Sequence, residues 1–434
     1  MSPELTGILG VALLLILFAL RMQVGMSMLI VGFLGYTYLS GTSSSLPLLG
    51  MVSYAAASVY SLSVIPLFIL MGMFLSYGGL GKDIFDAANA WVKQVRGGMA
   101  MATIVAIAVW SAISGSATAT AATIGTIVLP EMKRRGYNDA LATACVAAGS
   151  TMDILIPPSS VLVLYGILTE VSIGKLLIAG TLPGLLIAAL FAGVIYIWVK
   201  RDPKAAPVEP AAPFRVKVRA LKPIWTIVVI FILVMGGIYR GFFTPTEAAA
   251  IGAFISLIVA LVSRRFTLGV MSDALDSGAR TTAMLFIILI GAITFGRFLA
   301  LTRIPYDLTA YIASLNLSPY VVIGIIIVAI IILGCFIEGI SLMVLTMPIL
   351  YPLVTKMGFD GVWFGVLFAL LLNIGLCTPP VGMTVYIVGG VAKDVPLMTI
   401  FRGVIPFWIA MVLGAILLVI FPEIALWLVS FMKA

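Results

Sequence analysis

TMDILIPPSSVL, residues 151–162, sets an aspartate and two adjacent prolines inside a long apolar run. Proline lacks the backbone N–H, and its ring collides with the carbonyl four residues earlier, so no regular helix passes through this stretch. Pro157 and Pro158 release the carbonyls of Asp153 and Ile154 from the helical ladder, and Ile156 is pushed toward extended backbone. In hydrocarbon, opened backbone is tolerated only where protein buries it or where it lines a cavity. The fold therefore turns on whether this run lies in a membrane and on what the break is for.

Composition answers the first question. Of 434 residues, 62% are hydrophobic and only 10% charged, too few charges to cover a soluble surface; mean hydropathy is +1.22. Apolar segments long enough to cross a hydrocarbon layer of about 30 Å recur along the chain. The 42 glycines suit helices that approach closely in lipid. The fold class is an all-α polytopic membrane protein. There is no histidine, which removes the commonest general base and proton relay. Cys145, Cys335 and Cys377 stand far apart in apolar segments and read as buried small residues, not a metal site or disulfide. The net charge of +8 needs no nucleic-acid partner, because membrane topology accounts for it. Residues 5–20 read as an uncleaved first span, since Glu4 precedes them, Arg21 follows, and no small-residue cleavage site is present.

The break recurs in the second half of the chain as GLCTPPVGM, residues 375–383. Pro130, Gly136, Pro157 and Pro158 each stand 222 residues before Pro352, Gly358, Pro379 and Pro380. With one inserted residue, Gly180 and Pro183 match Gly403 and Pro406. Matches at a single offset mark an internal duplication. Residues 200–222, basic and rich in Pro and Ala, divide a first repeat (1–199) from a second (223–434) and are expected to form an exposed, irregular cytoplasmic linker.

Arg21, Lys82, Lys93, Arg96, residues 133–135 and the linker fit the cytoplasmic side. Tracing from them predicts spans at 5–20, 25–40 and 55–77, a surface helix at 81–97, a re-entrant hairpin tipped near 114–120, and spans at 138–168 and 176–198. The second half runs the opposite way: spans at 223–240, 247–262 and 281–301, a surface helix at 304–316, a hairpin tipped near 334–341, and spans at 361–391 and 398–421. The expectation is two inverted-topology repeats, each with about five spans, one re-entrant hairpin and one discontinuous helix. Both termini then lie on the outer side of the membrane.

An unwound span offers two opposite tools. Carbonyls freed at Asp153, Ile154, Gly375 and Leu376 can coordinate a hard cation such as Na⁺, while the N–H groups opening the second half-helix, near Ser159–Ser160 and Gly382–Thr384, favour an anion. The first hairpin tip, SGSATATAATIGT, carries Ser114, Ser116, Thr118 and Thr120 among Gly and Ala. It reads as ligands at the Ser-Gly-Ser turn and as close helix packing farther along. The second tip, GCFIEGIS, offers Glu338, Gly339 and Ser341. Charges inside a membrane are costly and mark function, which singles out Asp153 and Glu338. Arg297 has two readings: a fork for a substrate carboxylate, or a side chain snorkelling to the outer interface.

SGSATATAATIGTIVLPEMKRRGY, AAGSTMDILIPPSSVLVLYG, GFFTPTEAAAIGAF and TPPVGM together resemble the large membrane subunit of tripartite ATP-independent periplasmic transporters, over essentially the whole chain. The resemblance implies Na⁺-driven uptake of organic acids across a bacterial inner membrane by an elevator-type motion. It also implies two partners, a periplasmic substrate-binding protein and a small four-helix membrane subunit, the latter separate because this chain starts at its own first span. Carried over by motif, sodium ligands come from Ser114, Gly115 and Ser116 with Thr151, Asp153 and Ile154, and a second site uses Gly339, Ser341 and Thr378. Substrate contacts fall near Ser116, Thr120 and Arg297, beside the anion-favouring Ser159, Ser160 and Gly382. Thr120 departs from relatives that are more polar there.

The expected function is co-transport of a carboxylate with at least two Na⁺ ions. The alternative is a one-component Na⁺/dicarboxylate symporter that needs no binding protein. An intramembrane enzyme finds no support, since no nucleophile–base pair or HExxH lies in the spans. Duplicated breaks and hairpins suggest alternating access and disfavour a channel.

Overall fold

The computed structural model describes every residue except 21, 209, 263–265, 316 and 433–434. Arg21, assigned above to the cytoplasmic side, lies outside the described residues. Among those described there are helices and no strand. The chain begins with α1 (Pro3–Ala19), α2 (Val24–Ser40), α3 (Thr42–Ser58) and α4 (Val64–Tyr77), then α5 (Leu80–Val92). The first hairpin is α6 (Gly98–Ser114) and α7 (Ala117–Arg134). The first broken span is α8 (Asp139–Gly149), a 3-10 turn at Ser150–Ile154, and α9 (Ser160–Thr169), and α10 (Ile173–Arg201) closes the half.

After α11 (Phe214–Leu221) come α12 (Trp225–Tyr239), α13 (Pro245–Val262), α14 (Leu268–Leu301) and α15 (Ile304–Ser314). The second hairpin is α16 (Pro319–Gly334) and α17 (Gly339–Lys356), and the second broken span is α18 (Gly361–Cys377) and α19 (Met383–Val391). The chain ends with α20 (Leu397–Ile420) and α21 (Glu423–Ser430). At 1.5 Å per residue, α8 and α9 each measure only about 16 Å, so neither crosses a membrane alone.

Four details differ from the sequence reading. The span expected at 55–77 starts at Tyr60, as a 3-10 turn that runs on into α4, and it is preceded by a helix the hydropathy reading passes over, α3, which Ser and Thr dilute. α14 starts at Leu268, not 281, since the helix continues past its apolar part as a charged extension held by the Arg280–Asp276 pair at 2.7 Å. α5 does not simply lie on lipid: Ile84, Phe85 and Ala88 are buried, and a Cβ at Gly81 would meet the Trp110 ring of α6 at 3.2 Å. The linker is only partly irregular, because α11 forms within it and Asn138 N–H donates to the Ala205 carbonyl at 2.9 Å.

Two groups of helices carry the packing. In one, α2 crosses α14 with backbones touching: a Cβ on Gly291 would lie 2.2 Å from the Gly25 carbonyl oxygen. No side chain fits there, so the Gly291→Val substitution is expected to destabilise the folded protein by about 1–3 kcal/mol, measured as a lower melting temperature in detergent. In the other, α18 is buried on all sides from Val362 to Cys377 and α8 from Leu141 to Gly149, the pattern of a helix at the centre of a bundle. These two broken spans run antiparallel. Cys377 Sγ reaches the Ala147 carbonyl at 3.7 Å, while Tyr165, later in the first span, donates its hydroxyl to the Gly361 carbonyl at 2.8 Å, at the start of the second. Lys133, at the end of α7, pairs with Asp394, just after α19. Each partner holds the other ionised, raising the ammonium pKa and lowering that of the carboxyl.

Candidate functional site: a cavity between two hairpin tips and two broken spans

The first tip turns on one residue. Gly115 ends α6 at φ +59, a left-handed conformation that side chains rarely adopt, and a Cβ there would lie 3.0 Å from the Pro158 carbonyl oxygen. Ser116 then caps α7, its Oγ accepting from Ala119 N–H at 3.4 Å and lying 3.2 Å from Thr118 Oγ1. Ser160 Oγ donates to the Gly115 carbonyl at 3.0 Å, which pins the tip to the first break. In the second hairpin Glu338, 222 residues after Ser116, takes the same capping position. Its carboxylate accepts from Ser341 N–H at 3.1 Å and Ser341 Oγ at 3.0 Å.

The breaks sit where the prolines place them, and the Pro157–Pro158 and Pro379–Pro380 bonds are both cis. Their backbone is less open than proline geometry alone suggests. Ser159 donates to the Ile154 carbonyl at 2.5 Å and accepts from Leu162 N–H at 3.3 Å, so one residue closes one half-helix and caps the next. In the second break Thr378 N–H donates to the Gly375 carbonyl at 3.1 Å and Thr384 Oγ1 donates to that of Leu376 at 3.1 Å. Thr378 Oγ1 donates to the Ile374 carbonyl at 2.6 Å and accepts from Trp408 Nε1 at 2.9 Å. Of the four carbonyls expected to be free, those of Ile154, Gly375 and Leu376 have partners. Hydroxyl side chains close polar backbone because lipid offers it nothing else.

Tips and breaks converge on one cavity of about 300 Å³. Residues 114–119 of the first tip, Glu338 to Ile340 of the second, Ile154, Pro158 and Ser160 of the first break, and Leu376 and Met383 of the second all line it. The remaining wall comes from α4, through Phe68, Gly72 and Ser76, and from α14, through Thr281 and Met284. First-turn residues of α7, α9, α17 and α19 thus open onto the same space. Four helix N-termini bring partial positive charge there, although Glu338 already occupies the end of α17. Among the described lining residues Glu338 is the one charged side chain.

The residues singled out from sequence do not all meet in one place. Ser114, Gly115, Ser116, Ile154, Ser160 and Gly339 share the cavity wall. Thr151, Ser159, Ser341 and Thr378 have hydroxyls engaged in the hydrogen bonds above or, for Thr151, with the Ala148 carbonyl at 2.7 Å. Gly382, at φ +45, is buried against Phe401, whose ring a Cβ would meet at 2.6 Å. Arg297 is exposed on α14 and is not part of the wall. Its place fits the snorkelling reading.

Asp153 and Thr120 lie beneath the tip, both fully buried. Neither carboxylate oxygen of Asp153 nor the Thr120 Oγ1 makes a hydrogen bond, yet the hydroxyls of Ser111, Ser114 and Thr120 surround the carboxylate. A buried carboxylate without a counter-charge is strongly unfavourable. One anionic oxygen donor among neutral hydroxyls is the donor set of a hard cation. Asn373, absent from the sequence reading, also has both side-chain polar atoms buried and unpaired. It stands 222 residues after Thr151, and the signal was one amide in the apolar run GVWFGVLFALLLNIGLC.

Comparison with known proteins bears on this geometry. The sequence model of the family described as "Tripartite ATP-independent periplasmic transporter, DctM component" matches residues 11–424. The chain is 35% identical to the C4-dicarboxylate TRAP transporter large permease protein DctM of Pseudomonas aeruginosa, over 90% of this chain and 91% of that one. It is 33% identical to the sialic acid TRAP transporter large permease protein SiaM of Vibrio cholerae, covering 85% and 86%. Among solved structures, the YdaH transporter of Alcanivorax borkumensis shares the fold with a TM-score of 0.64 at 15% identity, over 88% of this chain and 90% of that chain.

Proposed function

The chain belongs to the tripartite ATP-independent periplasmic transporter family as a DctM component, the large membrane subunit, and from that premise we propose that it carries an organic acid inward together with Na⁺. The observation that carries this reading is the cavity, where helix N-termini suited to an anion adjoin an unpaired buried carboxylate suited to a cation. The anion binds at the first turns of α7, α9 and α19, and Ser114, Ser116, Thr118 and Ser160 supply hydroxyls to its polar groups. One Na⁺ sits between Asp153 and the hydroxyls of Ser111, Ser114 and Thr120. A second lies at the other tip, near Gly339 and the backbone around Thr378, with the Asn373 amide as a further donor.

Each ion offsets charge that the site could not otherwise hold: Na⁺ at Asp153 neutralises the carboxylate, and the substrate's negative charge meets helix dipoles and the second ion. Coupling follows, because a cavity with only one kind of ion aboard retains uncompensated charge. The hairpins and broken spans form a unit that slides against α2, α4, α13 and α14, exposing the cavity to alternate sides. The antiparallel course of the broken spans supports inverted repeats. Relatives are named for C4-dicarboxylates and for sialic acid, so the class is carboxylate-bearing organic acids. A periplasmic binding protein delivers the substrate, and a small membrane subunit completes the complex in the inner membrane.

The test is uptake into liposomes that hold this chain and the small subunit, with the binding protein and its labelled substrate outside. Uptake is expected under an inward Na⁺ gradient and to be lost when K⁺ replaces Na⁺. Equal uptake driven by a proton gradient without Na⁺ would overturn the coupling. Undiminished uptake without the binding protein would identify a one-component symporter instead.

A further inference from the structure

The linker between the two halves carries a feature that transport does not use. From 210 to 222 it holds Arg215, Lys217, Arg219 and Lys222 and no acidic residue. α11 buries none of its side chains: Phe214 is 72% exposed, and Val218 and Leu221 are also open. At 100° per residue, Phe214, Val218 and Leu221 fall on one side of the helix, and Arg215, Arg219 and Lys222 lie together beside them. α11 is bent by 53° from the span α12 that follows it, so it leaves the direction of the span for the membrane surface.

Its seat is specific. Trp91 Nε1 donates to the Lys217 carbonyl at 3.1 Å, and Lys217 Nζ donates to Gln94 Oε1 at 2.9 Å while lying 5.9 Å from the Trp91 ring centroid. Lys217 is thus committed to α5, whereas Arg215, Arg219 and Lys222 stay exposed. Where α11 ends, an apolar groove of about 300 Å³ opens between α5, α6 and the start of α12, lined by Trp91, Val92, Val105, Val109, Leu221 and Ile224 among others. Val105 and Val109 lie about 10 and 16 Å along α6 from its start at Gly98, so the groove descends from the basic end of the hairpin into the hydrocarbon.

We propose that this is a binding site for one anionic phospholipid of the cytoplasmic leaflet, with its phosphate on Arg215, Arg219 and Lys222 and an acyl chain in the groove. Charge complementarity and the adjoining apolar groove select this occupant. A water-soluble protein could not follow the groove into the hydrocarbon, and a soluble anion would leave it empty. Basic residues beside an interfacial apolar helix are attracted to an anionic leaflet, and the groove turns that general attraction into a site.

Native mass spectrometry of the purified full chain tests it. The wild type is expected to retain phosphatidylglycerol at least fivefold more than phosphatidylcholine of the same chains. The Arg215→Gln, Arg219→Gln, Lys222→Gln triple variant, changed only at exposed positions, is expected to bring phosphatidylglycerol down to the phosphatidylcholine level. Val105→Phe, which fills the groove and leaves the cations in place, is expected to lower retention of both lipids. Equal retention of the two lipids by the wild type, or unchanged phosphatidylglycerol in the triple variant, would overturn the proposal. So would displacement of the lipid by millimolar inorganic phosphate, which would reassign the cations to a soluble anion.

Discussion

The Asp153→Asn variant is expected to fold at least as well as the wild type in Na⁺-free buffer and to lose the part of its Na⁺ response that the Asp153 site supplies. The first half follows from electrostatics. Asp153 is fully buried and faces neutral hydroxyls with no counter-charge, so a neutral isostere relieves an uncompensated charge. The second half follows from linkage. A cation that binds only the folded protein raises its stability by about 2.7 kcal/mol at a hundredfold excess over Kd, and removing the anionic ligand removes most of that gain. Loss of one partner of a buried charge pair costs about 2–5 kcal/mol, so apparent Na⁺ affinity should fall roughly 30-fold or more.

Melting temperature in Na⁺ against K⁺ reads this directly, and uptake reads its consequence. Thr120 faces the carboxylate, so a carboxylate brought from the hairpin side, in Asp153→Asn with Thr120→Asp, is expected to recover part of the response. A variant with Asn at 153 that gains as much melting temperature in Na⁺ as the wild type and still transports would remove Asp153 from the cation site.

The second large effect concerns the break itself. Replacing Pro157 and Pro158 with alanine returns two N–H donors within reach of the carbonyls of Asp153 and Ile154 and removes two helix-interior penalties of about 3 kcal/mol each. The ladder then competes with Ser159 for the Ile154 carbonyl. The first turn of α9 is expected to shift away from the cavity, where Ser160 presently holds the Gly115 carbonyl. The double variant should insert and purify normally while Na⁺-dependent uptake falls at least tenfold. The same pair of substitutions at Pro379 and Pro380 should act alike. Normal uptake by both variants would reduce the breaks to kinks with no part in the site.

The sequence alone determined the membrane class and both breaks, because each rests on local physics. Proline ends a helix wherever it stands, an apolar run of given length either spans or does not, and a repeated offset needs no coordinates. Its local boundaries erred where locality failed. α3 is too polar to stand out by hydropathy, and α14 runs past its apolar part on a charged extension. The site was legible as segments and not as partners. Ser159, Ser341 and Thr378 looked like ligands from their positions, yet the fold engages their hydroxyls in closing backbone and capping helices, as it does that of Ser116.

Arg297 lies outside the cavity because it stands about 18 Å along α14 from Leu285, the last residue of that helix on the wall. Asn373 drew no notice as one amide in an apolar run, and only burial without a partner marks it. Only the tertiary structure decided which polar atoms remain unpaired. A hydroxyl or carboxylate in hydrocarbon takes whatever partner lies within reach, and that reach is fixed by segments far apart in the chain.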